Sequence, residues 1–271
     1  MKASRVTSNV ARRIPSIAGI TPQALFLVFS ILIGLTASLT MPIGGGADEP
    51  SHLARVEQLA NLQIMPVSVG YAEGYAVDTA EAEENARLYG GWGDTALYDL
   101  AKKGTLGFQG YQHDYTFPLW DDPESMSSLE YGENGTEAHV FSNASVYAPL
   151  VYAPYIVGFL IGRIMGLSVF WMVILMRLVG LAVYILTAYW CIRIIPVGKF
   201  PLAIVAFLPA TMASVSTVSA DTVTAILAFA MVTLFFDFLL SDDISTSRWV
   251  ALGVVSLLLP LAKMAYVPFL G

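Results

Sequence analysis

Cysteine is all but missing: Cys191 is the only one among 271 residues. That excludes an intrachain disulfide and any cysteine-built metal cage, and its apolar neighbourhood gives Cys191 a packing role. Charge is scarce as well, at 13% of residues against roughly 25% in soluble domains. With 56% hydrophobic residues, the chain reads as a multi-pass membrane protein. Histidine is limited to three, His52, His113 and His139, with no His-Glu-x-x-His for a zinc protease.

The net charge of −7 hides a segregation. Residues 44–146 hold 17 of the 21 acids, all three histidines and only 4 of the 14 Lys and Arg. The remainder is net basic and mostly apolar, so nothing supports nucleic-acid binding. Residues 1–22 form a basic tail with Lys2, Arg5, Arg12 and Arg13, expected to stay cytoplasmic. Residues 23–43 are long enough to span, and no small-x-small cleavage site precedes the acids that follow, so this is read as a retained first helix.

The organising stretch is Gly44-Gly-Gly-Ala-Asp-Glu-Pro-Ser-His-Leu-Ala-Arg55, at the mouth of that span. Pro50 suits the first turn of a helix, and Leu53, Val56, Ala60 and Ile64 fall near a 3.6 period. One helical N-terminus then presents Asp48, Glu49, His52 and Arg55. The acids suit a general base with a companion, or simple helix capping. Asp48, His52 and Asp221 permit a divalent cation, although no spacing is diagnostic. The aromatics between Gly70 and Asp122 suit sugar stacking or headgroup anchoring equally.

Residues 44–166 make an outer loop, and 167–271 carry further spans. Tyr147 to Gly166 is apolar but broken by prolines, glycines and Arg163; it either spans or lies along the interface. The positive-inside bias favours the interface. Val169–Cys191, Phe200–Ala220, Thr222–Leu240 and Trp249–Leu270 then complete five spans. On that topology Asp221 lies on the side of Asp48. Arg177, about two turns into its helix, and Lys263, about two-thirds along its own, reach the same leaflet. Embedded cations usually face a cavity or a partner, here either a lipid-linked phosphate or an internal ion pair. Asp237 reads as a snorkelling side chain near the inner end of its helix. Asn134-Gly-Thr136 and Asn143-Ala-Ser145 are formal glycosylation sequons.

These residues resemble a family. Asp48-Glu-Pro-Ser-His-Leu-Ala-Arg55 looks like the signature of bacterial multi-pass proteins of the domain-of-unknown-function 2142 family. Tyr147-Ala-Pro-Leu-Val-Tyr-Ala-Pro154, Gly162-Arg163 with Gly166-Leu-Ser168, Arg177-Leu178, Pro209 ahead of Ser219-Ala-Asp221, and Lys263-Met-Ala-Tyr266 add to it in order. That family is in turn similar to GT-C glycosyltransferases.

The expected fold is all-α and polytopic, with about five spans plus interfacial helices in the large first outer loop; the resemblance implies that it is GT-C-like and, independently, that Tyr147 to Gly166 is an interfacial helix. It implies Asp48 as catalytic carboxylate, Glu49 as companion and Asp221 as the second-loop acid; His52, Arg55, Arg177, Asp221 and Lys263 are expected to bind substrate. The expected reaction is inverting sugar transfer on the outer face of a bacterial cytoplasmic membrane. The partners are membrane lipid, a polyprenyl-phosphate sugar donor and a glycan or protein acceptor. A non-catalytic carrier, flippase or assembly subunit is the alternative. GT-C proteins usually have seven or more spans, whereas this sequence stops inside an apolar run, so it reads as an N-terminal portion.

Overall fold

A computed structural model describes residues 20–72, 79–108, 128–241 and 245–266. The basic tail up to Arg13, His113 and several of the aromatics, Tyr75, Tyr111, Tyr115 and Trp120, lie outside the described residues.

The first helix, α1 (Pro22–Thr40), starts where Thr21 caps the Ala24 N–H and Pro22 occupies the first turn. It ends two residues ahead of Pro42. A loop with Gly44 in the left-handed region leads into α2 (Glu49–Ala60). The helix expected after Pro50 is present, but it stops at Ala60, so Ile64 lies beyond it and is exposed.

The segment between α1 and the later apolar helices departs from the all-helical expectation. Strands β1 (Val67–Tyr71), β2 (Arg87–Asp94) and β3 (Thr136–Val140) pair as an antiparallel sheet in the order β1-β2-β3. Short helices α3 (Ala80–Ala86) and α4 (Thr95–Phe108) flank β2. The sheet packs on α2 through glycines: a Cβ on Gly91 would stand 3.1 Å from Gln58, and one on Gly93 would collide with Glu57.

After α5 (Ser142–Ser145) and a 3₁₀ turn (Pro149–Tyr152) comes α6 (Ala153–Ile164), which folds back on α7 (Val169–Ile194). Gly158 and Gly162 let α6 lie against Met176 and Met172, and Gly180 admits the ring of Tyr155. Small residues at such seams allow the close backbone approach that helix packing in lipid requires. Thus α6 is a short helix laid antiparallel on the first turns of α7.

The expected span from Phe200 to Ala220 is two helices, α8 (Lys199–Ala206) and α9 (Pro209–Val215). Pro209 pushes Leu208 out of the helical region, to ψ 140, and breaks the run. Next, α10 (Asp221–Leu240) and α11 (Thr246–Ala262) form a hairpin. Its closed end carries an Arg248–Asp237 ion pair at 3.2 Å, so Asp237 is paired and is also bonded by Ser241. Lys263 caps the end of α11 instead of lying two-thirds along it.

By length and composition α1, α7 and α10 can each cross a membrane; α6 with its 3₁₀ turn, and α11, are shorter apolar helices. The molecule is therefore a mostly helical membrane protein with a small sheet. Two apolar clusters hold it together. One joins α2, α4, α6, the first turns of α7 and residues of α10 and α11; the other joins α1, the second half of α7, α8, α9 and Phe229 of α10.

Candidate functional site

Although adjacent in sequence, Asp48 and Glu49 have opposite environments: Asp48 is exposed and Glu49 is wholly buried. The backbone is the cause. Asp48 sits in the left-handed region (φ 54°, ψ 19°), a conformation uncommon outside glycine, and the turn sends its neighbour inward.

Glu49 meets a bidentate partner there. Arg177 donates from Nε to Oε1 at 2.8 Å and from Nη2 to Oε2 at 2.7 Å. The N–H groups of Gly44, Gly46 and Val218 complete the carboxylate's shell. Arg177 spends its remaining donors on the carbonyls of Ser38, Met41 and Pro42. A guanidinium has five N–H groups, and all five are engaged here. The pair thus ties together the end of α1, the glycine loop, α7 and the turn before α10.

Beside that buried pair lies a more open cluster. Asp221, first residue of α10, receives Lys263 Nζ at 2.9 Å, and both side chains are partly exposed. Ser219 Oγ accepts the Asp221 N–H. His52, on the second turn of α2, lies within the fields of Asp48, Asp221, Glu49 and Lys263. Burial holds its imidazole below the ordinary value, more strongly than those carboxylates raise it. His52 Nδ1 is 2.8 Å from the Tyr152 hydroxyl, which donates to the Ala144 carbonyl. With its proton given to that carbonyl, the tyrosine accepts from Nδ1–H, which leaves Nε2 as the basic nitrogen. The ring of Tyr147 stands 5.8 Å away.

Of the seven residues singled out in the sequence, Asp48, His52, Asp221 and Lys263 are brought together. Glu49 and Arg177 lie directly beneath them, joined to each other. Arg55 points elsewhere: it is buried, donates to Gln58 and lies 5.9 Å from the centre of the Phe141 ring. Its Nε has no hydrogen-bond partner among the described residues.

Tyr152, inside the Tyr147–Pro154 motif, and Tyr155, the residue that follows it, escaped sequence reasoning. Tyr155 is buried; its hydroxyl donates to the Thr217 carbonyl and accepts from the Thr222 hydroxyl, fixing α6 to the turn that carries Asp221. Among the described residues no three His, Cys, Asp or Glu side chains are grouped to hold a metal ion.

A second buried polar group lies under the sheet. Glu57 Oε1 accepts from the Asp94 N–H and the Tyr131 hydroxyl, while Oε2 has no partner among the described residues. Burial raises the Glu57 carboxyl. His139 stacks on Tyr98 with ring centres 4.2 Å apart, and burial pushes its imidazole down to about 4. Periodicity gave no sign of this group, because its members come from α2, the end of β2, the start of α4, the turn at Tyr131 and β3.

The profile of a family described as "Predicted membrane protein (DUF2142)" matches residues 31–271. No curated protein and no solved structure matches the chain.

Proposed function

The chain belongs to the DUF2142 family of predicted membrane proteins, and from that premise we propose that it is a GT-C-type glycosyltransferase. It moves a sugar from a polyprenyl-phosphate donor to an acceptor hydroxyl at the outer face of a bacterial cytoplasmic membrane. One observation carries the reading: Asp48, Asp221 and Lys263, from three distant parts of the chain, all come near enough to His52 to act on its imidazole, and Lys263 pairs with Asp221 at 2.9 Å.

Asp48 takes the proton of the acceptor hydroxyl as the oxygen attacks the anomeric carbon. The bond to the phosphate oxygen breaks, polyprenyl phosphate leaves with the electron pair, and the configuration inverts. Lys263, released from Asp221, stabilises the charge that develops on the leaving phosphate. His52 orients the acceptor through its neutral ring. Arg177 and Glu49 are assigned to positioning: their mutual bonds leave the guanidinium no donor for a phosphate, and they hold the turn from which Asp48 projects.

The test is sugar transfer by the full-length protein in native membranes. Asp48→Asn is expected to lower transfer at least 100-fold with insertion unchanged, and Lys263→Met to lower it about 10-fold or more. Transfer by Asp48→Asn at the unmodified rate overturns the assignment. The Asp221–Lys263 ion pair also favours a second reading, a non-catalytic carrier in which a bound lipid phosphate exchanges with Asp221 on Lys263. In that case Lys263→Met loses binding of the lipid phosphate while Asp48→Asn keeps it.

A further inference from the structure

On α7, Trp171 and Trp190 are each about half exposed. At roughly 1.5 Å per residue the two indoles stand about 28 Å apart along the axis, close to the ~30 Å thickness of a bilayer's hydrocarbon core. Indoles collect at membrane interfaces, and Trp190 carries a further mark of one: the Arg193 guanidinium lies 4.9 Å from its ring centre. Trp249, also exposed, begins α11 at that same end. Trp171 therefore marks the opposite boundary.

That boundary does not coincide with the polar cluster. Arg177, and with it Glu49 and the turn leading to Asp221, lies about 9 Å deeper along α7 than Trp171. The intervening level is occupied by α6. Gly158 and Gly162 face α7, and the outward stripe is Val157, Leu160, Ile161 and Ile164, exposed by 50, 40, 40 and 86%. Their spacing is that of a single helical face. Arg163, the cation of α6, turns away from it to Asn61 and the Tyr131 ring. An apolar stripe of this length is foreign to a water-facing surface, and it runs on from the lipid-facing side of α7 at Trp171.

We propose that lipid acyl chains cover this stripe, so that the headgroup boundary of the site-side leaflet passes at Trp171 and the turn between α6 and α7. The cluster of Asp48, His52, Asp221 and Lys263, above the Arg177 level, is then a recess within about 9 Å of the lipid surface, walled by α6. A ligand of this recess is an amphiphile whose polar group is drawn below the headgroups, and it enters sideways from the leaflet. The inference rests on the bilayer placement alone and not on the transfer reaction.

Single spin labels test it in the full-length Cys191→Ala protein, reconstituted in phosphatidylcholine–phosphatidylglycerol vesicles. Labels at Val157, Leu160 and Ile164 are compared with Leu32, exposed on α1, and with Asn143, exposed in the outer segment. Oxygen, which partitions into lipid, is expected to relax the labels at 157 and 160 as it does at 32. A water-soluble nickel chelate is expected to relax the label at 143 at least fivefold more than those two, and Ile164 is expected to fall between. Nickel accessibility at 157 and 160 equal to that at 143 overturns the proposal. Such a result leaves sugar transfer standing with its site at the surface. Loss of the transfer reading leaves the label depths where they are.

Discussion

Glu49 and Arg177, separated by 128 positions in the chain, form a bidentate ion pair in which neither side chain is exposed to any measurable degree. Between them they collect hydrogen bonds from the end of α1, the glycine loop and the turn before α10. The site above them is assembled by this junction, because each of those segments supplies or adjoins one of its members.

Removing one partner should therefore cost far more than removing both. Arg177→Met leaves a buried carboxylate without a counter-charge and should destabilise the fold by about 3–5 kcal/mol. Glu49→Gln should cost less, since the amide still accepts one bond from the guanidinium. The double replacement Glu49→Leu with Arg177→Met should recover part of the loss. Thermal unfolding in detergent checks the order; a double variant whose loss equals the sum of the two single losses would show that the two residues act separately.

Asp48 makes a separate prediction, because its left-handed backbone has a cost that depends on the side chain. Asp48→Gly should match or exceed the parent in stability by up to about 1 kcal/mol. Asp48→Asn should be neutral, since asparagine tolerates that region, and Asp48→Val should destabilise by about 1–2 kcal/mol. The midpoint of unfolding for the three variants decides this. It also establishes Asp48→Asn as a replacement that changes charge without changing fold.

Much of this arrangement was legible from residue order. The acidic motif after α1, the helix that Pro50 opens, the depth of Arg177 in its helix and the common end shared by Asp48 and Asp221 all followed from hydropathy and spacing. The direction of Glu49 did not. Two adjacent carboxylates look equivalent in a sequence, and only the positive φ at Asp48 separates them. The sheet was hidden for another reason: β2, Arg87–Asp94, contains three glycines, a composition that reads as loop, and its strand character comes from pairing with β1 and β3 on α2. Lys263 was placed inside a helix because the apolar run continues past it, whereas Pro260 lies in the last turn of α11 and the helix stops two residues later.

The seam between α6 and α7 should be intolerant of side-chain volume. A Cβ at Gly180 would come within 2.4 Å of the Tyr155 ring, so Gly180→Val must displace that ring. The hydroxyl then loses Thr217 and Thr222. A cost of about 2–4 kcal/mol is expected from overpacking plus the lost bonds. Gly180→Ala should cost less, and Gly180→Val together with Tyr155→Leu should be milder than Gly180→Val alone. Comparing denaturation midpoints across these variants reads out the coupling.

His139 gives the sheet-bearing segment a pH dependence whose sign can be stated. Burial takes the imidazole from its ordinary 6.5 down to about 4 in the folded protein, while Asp94 and Asp99 pull weakly the other way. Between those two values the unfolded chain binds the proton more readily than the folded one. Its contribution is therefore complete above pH 6.5 and is lost as the pH falls toward 4, by up to about 3 kcal/mol. Glu57 runs in the opposite sense, because burial raises its carboxyl and favours the folded state at the acid side. The two offset one another in the parent protein, so the difference between parent and His139→Gln isolates the imidazole. That variant should lose less stability than the parent between pH 6.5 and 4. Parallel stability curves for the two proteins across this window would show that His139 is as easily protonated folded as unfolded, and that the burial beside Tyr98 does not govern it.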